Sequence, residues 1–338
     1  IIGTPEYKKA VTKAVFLDEV PQDLFIETCY APGGTGALRN AISCYSSPGD
    51  KILTADWHWA PYNVIAAELG REVKTYTLFD EDYHFNDASF RKSLSDILAV
   101  QDQAVVIINT PAHNPTGYTF TLEDWDKVID IFKSFPNKNI ICVVDIAYLD
   151  FAGEAHAYRA FLKKLSGLPH HILPLIAFSA SKGFTMYGMR CGALLCMAPT
   201  AELAKEFRDA ASVASRASWS NGNHSAMAVI SKIFADDALL AKVTDERNHY
   251  MQILQERGRA FMEEANKIGL KCCPYDSGFF ITVPCENAEE VGKALQALNV
   301  FAIPLGPGIR VSVASNTVEE CRAIPGRLQQ AIESVNGK

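Results

Sequence analysis

Short apolar runs of strand length, each closed by turn residues, alternate in this chain with segments of helical period, at positions 51–54, 73–78, 104–109, 140–145, 174–179 and 192–197. Strands that alternate with helices predict an α/β fold around a largely parallel sheet. The segment opened by Thr121 is typical of the helices. Asp124 stands three positions after a threonine cap, Leu122, Trp125, Val128, Ile129 and Phe132 share one face, and Pro136 closes the run. From Asp237 to about Lys267 the helical pattern continues almost without a breaker, and short strands then follow near 271–274, 279–284, 299–303 and 309–313. A domain boundary is therefore expected inside that long helix, dividing the 338 residues into 1–248 and 249–338.

Charge narrows the partners. Lys plus Arg at 32 against Asp plus Glu at 39 gives a net charge of −7, which disfavours a surface that coats nucleic acid. Apolar stretches such as Gly192-Ala-Leu-Leu-Cys-Met-Ala198 fall far short of a membrane-spanning helix, so no membrane partner is expected. The nine cysteines are scattered, with no CxxC pair and no histidine at zinc spacing. They read as reduced thiols of a cytoplasmic protein with no metal site. Ile1-Ile-Gly-Thr-Pro5 opens without an initiator methionine, as if within a longer chain.

In open α/β sheets ligands bind beyond the carboxyl ends of the strands, and here those ends are polar. Thr110-Pro-Ala-His-Asn114-Pro-Thr-Gly117 follows one strand, Asp145 and Tyr148 end another, Ser179-Ala-Ser181-Lys182 ends a third, and Asp56, Trp57 and Trp59 follow a fourth. Gly33, Gly34 and Gly36 around Thr35 precede a helical run, which suits either an anion at the helix start or a plain turn. The segment is neither a dinucleotide fingerprint, because Arg39 takes the third glycine position, nor a P-loop. A lysine at a buried strand end loses solvation of its charged form, which favours an amine able to form a Schiff base; the other reading of Lys182 is a surface residue with a packed stem. Asp145 is equally a candidate helix cap.

Together these residues carry a resemblance. Ser179-Ala-Ser-Lys182-Gly-Phe-Thr-Met-Tyr-Gly-Met-Arg190-Cys-Gly192 resembles the cofactor-lysine segment of the fold-type I, pyridoxal-phosphate-dependent class I aminotransferases, and the group nearest is the aspartate and aromatic enzymes. Ala112-His-Asn-Pro-Thr-Gly117 and Asp145-Ile-Ala-Tyr148-Leu-Asp-Phe151 resemble that family's other two signatures, in the expected order. The resemblance runs from about Tyr7 to the end of the chain. It implies a three-layer fold with a large cofactor-binding domain over 1–248, a smaller α+β domain over 249–338, and pyridoxal 5′-phosphate as cofactor.

The roles that the resemblance implies are specific. Lys182 would hold the cofactor as a Schiff base and then act as general base and acid. Asp145 would pair with the pyridine nitrogen, and Asn114 and Tyr148 with the phenolic oxygen. Gly34, Thr35, Ser179, Ser181 and Arg190 would cradle the phosphate. Trp59 would stack on the ring, selected over Trp57 by counting back from Gly70, with core packing as the other reading. Trp59 and Asn114 would also border the substrate. In Gly308-Ile-Arg310-Val-Ser, Arg310 would bind the substrate α-carboxylate. Arg216, in Arg216-Ala-Ser-Trp-Ser-Asn221, would reach the distal carboxylate across a homodimer with shared active sites, or else make a surface ion pair.

Two departures stand out. Where the aspartate-type pattern has a histidine behind the ring-nitrogen aspartate, this chain has Tyr62. The family's N-terminal segment, with a tyrosine that reaches the partner's phosphate, is absent from this sequence, and Tyr7 is not assigned that role. The expected activity is amino transfer between an amino acid, aspartate or glutamate first, and a 2-oxo acid such as 2-oxoglutarate. The alternatives are an aromatic aminotransferase, a lyase or decarboxylase with the same cofactor, or a non-catalytic regulatory domain.

Overall fold

The computed structural model describes residues 1–337, which form two compact units. The first takes Ile1–Thr110, Phe120–Asp150 and Glu154–Asp245. Its strands are β1 (Phe25–Ala31), β2 (Lys51–Ala55), β3 (Glu72–Tyr76), β4 (Gln103–Asn109), β5 (Asn139–Asp145), β6 (Ile172–Ser179) and β7 (Gly192–Ala198). Its helices are α1 (Pro5–Phe16), α2 (Gly33–Tyr45), α3 (Pro61–Glu68), α4 (Asp87–Leu98), α5 (Leu122–Lys133), α6 (Ala180–Gly183), α7 (Ala201–Ser218) and α8 (His224–Ala235). The sheet order is β1-β7-β6-β5-β4-β2-β3, and every pairing from β6 to β3 is parallel. Since β7 is antiparallel to both β6 and β1, six of the seven strands run the same way.

Both faces of this sheet are covered, because every residue of β6 and β7 is buried. One face packs Ile52, Val105, Val143, Leu175 and Leu194 under Leu38 and Ile42 of α2 and Phe207 of α7. On α5, Thr121 and Asp124 form a capping box, and Trp125 is fully buried and stacks on Phe161 with centroids 5.3 Å apart. Leu122, expected on the core face, is 47% exposed at the first helical position. The sequence pattern did not identify β1, an edge strand whose Phe25-Ile-Glu-Thr opening lacks a clean apolar run and whose Phe25 is half exposed.

The second unit takes Pro111–Thr119, Phe151–Gly153 and the chain from Glu246 onward, so its boundary falls within α9 (Asp237–Ile268). It holds a three-stranded antiparallel sheet ordered β8-β10-β9, with β8 (Phe280–Pro284), β9 (Ile303–Leu305) and β10 (Gly308–Ser312). α10 (Ala288–Ala297), α11 (Val318–Asn336) and the later turns of α9 enclose its own core, which includes Phe261, Ile281, Val291, Ile309 and Leu328. The run at 271–274 forms no strand: Cys273 donates one bond to Thr282, and Pro274 has no N–H to continue the ladder. The strand expected at 299–303 begins only at Ile303, after Asn299 takes a left-handed turn with φ 56° behind α10.

The short segment 111–119 belongs to this unit because its own contacts lie there. Thr119 N–H donates to Asp276 Oδ2 at 2.8 Å, Asp276 N–H donates to Gly117 O at 2.9 Å, and Thr282 Oγ1 donates to Pro115 O at 2.6 Å. Gly117, at φ 79°, lies against the Tyr275 ring where no Cβ would fit.

Trp125→Ala is expected to lower the unfolding free energy by about 3–5 kcal/mol, since it empties a large, fully enclosed site. Equilibrium denaturation in urea measures it.

Candidate active site

Sheet register decides which side chains meet in the first unit. Gly192, the first residue of β7, lies opposite both Ala31 at the end of β1 and Ser179 at the end of β6. Asp145, the last residue of β5, lies opposite Asn109 and Ala177. The polar strand ends of the motifs thus share one edge, as parallel strands of matched length require.

At one part of that edge the groups suit an anion. The glycines Gly33, Gly34 and Gly36 are themselves the first turn of α2, and Pro32 before them supplies no side-chain cap. The first-turn amides therefore point outward with the positive end of the helix. Gly34 is close enough to Ser179 that an added Cβ would stand 3.3 Å from the serine Cβ. A Cβ on Gly33 would stand 2.6 Å from Arg190 Nη2, and its φ of 77° is a backbone that favours glycine beside the guanidinium. Arg190 donates from Nη1 to Ser181 Oγ at 3.4 Å and to Tyr187 O at 2.8 Å, and from Nη2 to Pro32 O at 3.3 Å. Its left-handed backbone (φ 49°) is held by Tyr30, whose hydroxyl donates to Arg190 O at 2.8 Å.

Beside this cradle lies a desolvated acid. Asp145 is 5% exposed; Tyr62 Oη donates to its Oδ2 at 2.6 Å, and Ala147 N–H donates to its Oδ1 at 3.2 Å. Burial pushes the Asp145 carboxyl above its usual range, and the Tyr62 and Ala147 bonds act against that push. Both donors are neutral. Tyr62 itself is held well above the usual tyrosine value, first by burial and then by the Asp145 charge, so it remains a donor. The departure noted at position 62 therefore still supports Asp145, through a phenol instead of an imidazole.

Lys182, half-buried in the single turn α6, places Nζ 4.7 Å from the Tyr187 ring centroid and 5.8 Å from that of Tyr148. Tyr148 is buried three residues after Asp145, so the same short segment carries both the buried acid and a ring near the lysine. Trp59 is half-buried and meets Tyr62 edge-on with centroids 5.6 Å apart, whereas Trp57 is a core residue at 7% exposure.

Arg216 stands apart. It is exposed in the last turn of α7 and donates to Ser220 Oγ at 3.0 Å; among the described residues, no hydrogen bond or ion pair joins it to the Lys182 group. Tyr7, fully buried in α1, donates to Gly192 O at 2.7 Å and so serves its own chain. In the second unit, Arg310 on β10 donates from Nη1 to Asn114 Oδ1 at 2.9 Å and lies 4.4 Å above the Phe280 ring. Sequence reasoning gave Tyr62 only as a departure and missed Tyr187 and Phe280. Tyr187 follows Lys182 by five residues and was open to notice there; Phe280 has no local signal, because β-pairing brings it to Arg310.

Comparison with known proteins gives the same direction. The family described as "Aminotransferase class I and II" matches residues 1–328. An aromatic-amino-acid aminotransferase of Escherichia coli is 29% identical over 312 residues, covering 89% of this chain and 76% of that one. An aspartate aminotransferase of Salmonella typhi is 26% identical over 337 residues, covering 96% and 82%. A crystal structure of an aminotransferase from Anaerococcus prevotii superposes with a TM-score of 0.94 at 34% identity, covering 98% of this chain and 81% of that one.

Tyr62→Phe leaves a buried carboxylate with one neutral donor fewer and is expected to cost about 1–3 kcal/mol of stability near neutral pH. Because burial raises the folded Asp145 above its unfolded value, folding favours its protonated form, and stability is lost as pH rises through the folded pKa. Removing the phenol raises that pKa further. The cost of the substitution is therefore expected to grow from pH 5 to pH 8, measured by urea denaturation of the cofactor-free protein.

Proposed function

This chain belongs to the aminotransferase class I and II family, and on that premise we propose that it moves the amino group of aspartate or glutamate to a 2-oxo acid such as 2-oxoglutarate, using the residues described above. The protein is a pyridoxal-phosphate-dependent transaminase. When bound, the cofactor draws electrons from the amino acid's Cα and so labilises its hydrogen.

The residues present suit that cofactor. A protonated ring nitrogen would supply the positive charge that buried Asp145, held by neutral donors, otherwise lacks. The Gly34 and Thr35 amides, the Ser179 and Ser181 hydroxyls and the Arg190 guanidinium would bind its phosphate. Lys182 would bind its aldehyde carbon and, once the amino acid's own amine has displaced it there, the freed amine would take the Cα proton as general base and return a proton as general acid. Tyr148 and Asn114 would donate to the phenolic oxygen, and Trp59 would cover the ring face.

Arg310, its planar fork steadied by Asn114 and Phe280, would hold the substrate's α-carboxylate. The observation that carries the dicarboxylate reading is Arg216: an exposed guanidinium bonded to one neutral hydroxyl is available to a second carboxylate. In this reading Arg216 serves the partner's site in a homodimer. The exposed apolar side chains of Val64, Tyr187, Val213 and Val229 in the first unit are in keeping with such an assembly. Nine free thiols fit a reducing, cytoplasmic setting, and no described helix is long and apolar enough to cross a membrane.

An aromatic preference is the second reading, favoured by the Tyr187 ring, 66% exposed beside Lys182. Steady-state assays of aspartate against phenylalanine, each with 2-oxoglutarate, separate the two; absence of dicarboxylate turnover rejects the first. Lys182→Ala is expected to abolish both the bound cofactor's visible band and the exchange. Arg216→Ala is expected to reduce kcat/KM for aspartate about a hundredfold while changing that for phenylalanine by less than about tenfold.

A further inference from the structure

The turn that carries Lys182 has a carboxylate pressed against it. Gly183 is buried, and a Cβ built there would collide with Asp150 Oδ2 and lie 3.1 Å and 3.2 Å from the Asp150 Cγ and Cβ. The other oxygen of the same group, Oδ1, accepts from Arg159 Nη2 at 2.8 Å. This pair is largely enclosed, with side-chain exposures of 12% for Asp150 and 7% for Arg159. Arg159 is fixed in turn: Nε donates to Val15 O at 3.0 Å, Nη2 to Ala14 O at 3.0 Å, and Nη1 to Ala155 O at 3.1 Å. Ala14 and Val15 are in the last turn of α1, where helix carbonyls lack partners of their own and favour a cation. Moving either member of an enclosed ion pair strands the other, so the carboxylate is a rigid object.

The turn is also held by its own hydrogen bonds and by one to Cys191. Ala180 N–H donates to Cys191 O at 2.9 Å, Thr185 N–H donates to Lys182 O at 3.0 Å, and Ser179 Oγ accepts from Ser181 N–H at 3.2 Å.

We propose that Asp150, clamped by Arg159 to the end of α1, is a positioning residue for Lys182: its carboxylate is the wall that sets where α6 stands, and position 183 is glycine because no larger residue fits against that wall. This rests on the reading of Lys182 as the cofactor-bearing residue. Asp150 acts through the backbone of the Lys182 turn, whereas Asp145 acts on the ring nitrogen. The fixed end of α1 thereby becomes part of what aims the amine.

The test uses the cofactor-loaded protein in four forms: wild type, Gly183→Ala, Asp150→Ala and the double variant. Borohydride reduction followed by peptide mass measurement gives the fraction of Lys182 that carries cofactor, and the pH midpoint of the bound cofactor's absorption reports the setting of its amine. A misplacement of about an ångström costs about a hundredfold in kcat, so Gly183→Ala is expected to lose about that much, to shift the midpoint, and to leave the KM of the amino donor nearly unchanged. Asp150→Ala alone is expected to lower kcat and shift the midpoint in the same manner. The double variant, with wall and methyl both gone, is expected to recover at least about tenfold over Gly183→Ala. Should Gly183→Ala fail to fold, the double variant is read against Asp150→Ala, which carries the loss of the ion pair alone: folding and loading equal to that of Asp150→Ala supports the wall, and folding or loading below it overturns the wall. Wild-type loading and turnover in Gly183→Ala, or no recovery in the double variant, overturns it while leaving the proposed function intact. A wild type that fixes no cofactor on Lys182 overturns both.

Discussion

A carboxylate buried at the end of the central strand β5 is the constraint around which the first unit's chemistry is arranged. Desolvating Asp145 is unfavourable, and its two donors, a phenol and a backbone amide, lessen that cost without supplying a charge. The phenol must be close and stay protonated, and its surroundings secure both. Pro61 opens α3, Trp59 meets the Tyr62 ring edge-on, and the His58 ring lies parallel to it with centroids 6.2 Å apart. Residues 58–62 thus frame one hydroxyl. What remains unmet at Asp145 is a positive partner, which is the property a pyridine cofactor turns to use.

The cradle at α2 answers the opposite charge by the same economy of placement. An uncapped helix start, two serines and one arginine concentrate positive potential where Gly33 and Gly34 let the groups approach. Arg190 reaches this place only from a left-handed backbone, and Tyr30 holds its carbonyl there. The peptide oxygen of Tyr187 accepts from the same arginine, and the Tyr187 ring faces Lys182, so one residue touches both the anion-binding group and the amine. The Tyr187 ring also lies 5.8 Å from the Arg190 guanidinium carbon, so substituting it would act on two functions together.

The second unit shows how far local text misleads about where a residue belongs. Asn114 stands five residues beyond β4, in the polar segment that follows that strand in the sequence. Its segment nevertheless folds with β8 and β10: Thr282 and Asp276 fasten positions 115–119, and Asn114 meets Arg310, 196 residues away in sequence. Hydrogen bonds of that span have no periodic signature, so the sequence offers motif resemblance alone as a guide to them.

How much was legible follows from the range of the physics. Six strands of the large sheet, the capping box at Thr121, the glycine-rich helix start and the polar strand ends are local patterns of burial and hydrogen bonding, and each is where the sequence pointed. β1 was hidden because an edge strand needs no continuous apolar run, and 271–274 misled because apolar character there was not matched by bonding groups. Only the tertiary structure decided that Tyr62 supports Asp145, that Arg310 leans on Phe280, and that Asp150 leaves room for nothing beyond glycine at 183. The sequence by itself determined which residues stand at the ends of strands, since period and turn chemistry are read within a few neighbours. It did not determine which of them touch, because contact depends on sheet register and on side chains meeting across the fold, where each atom's position is fixed by all the others.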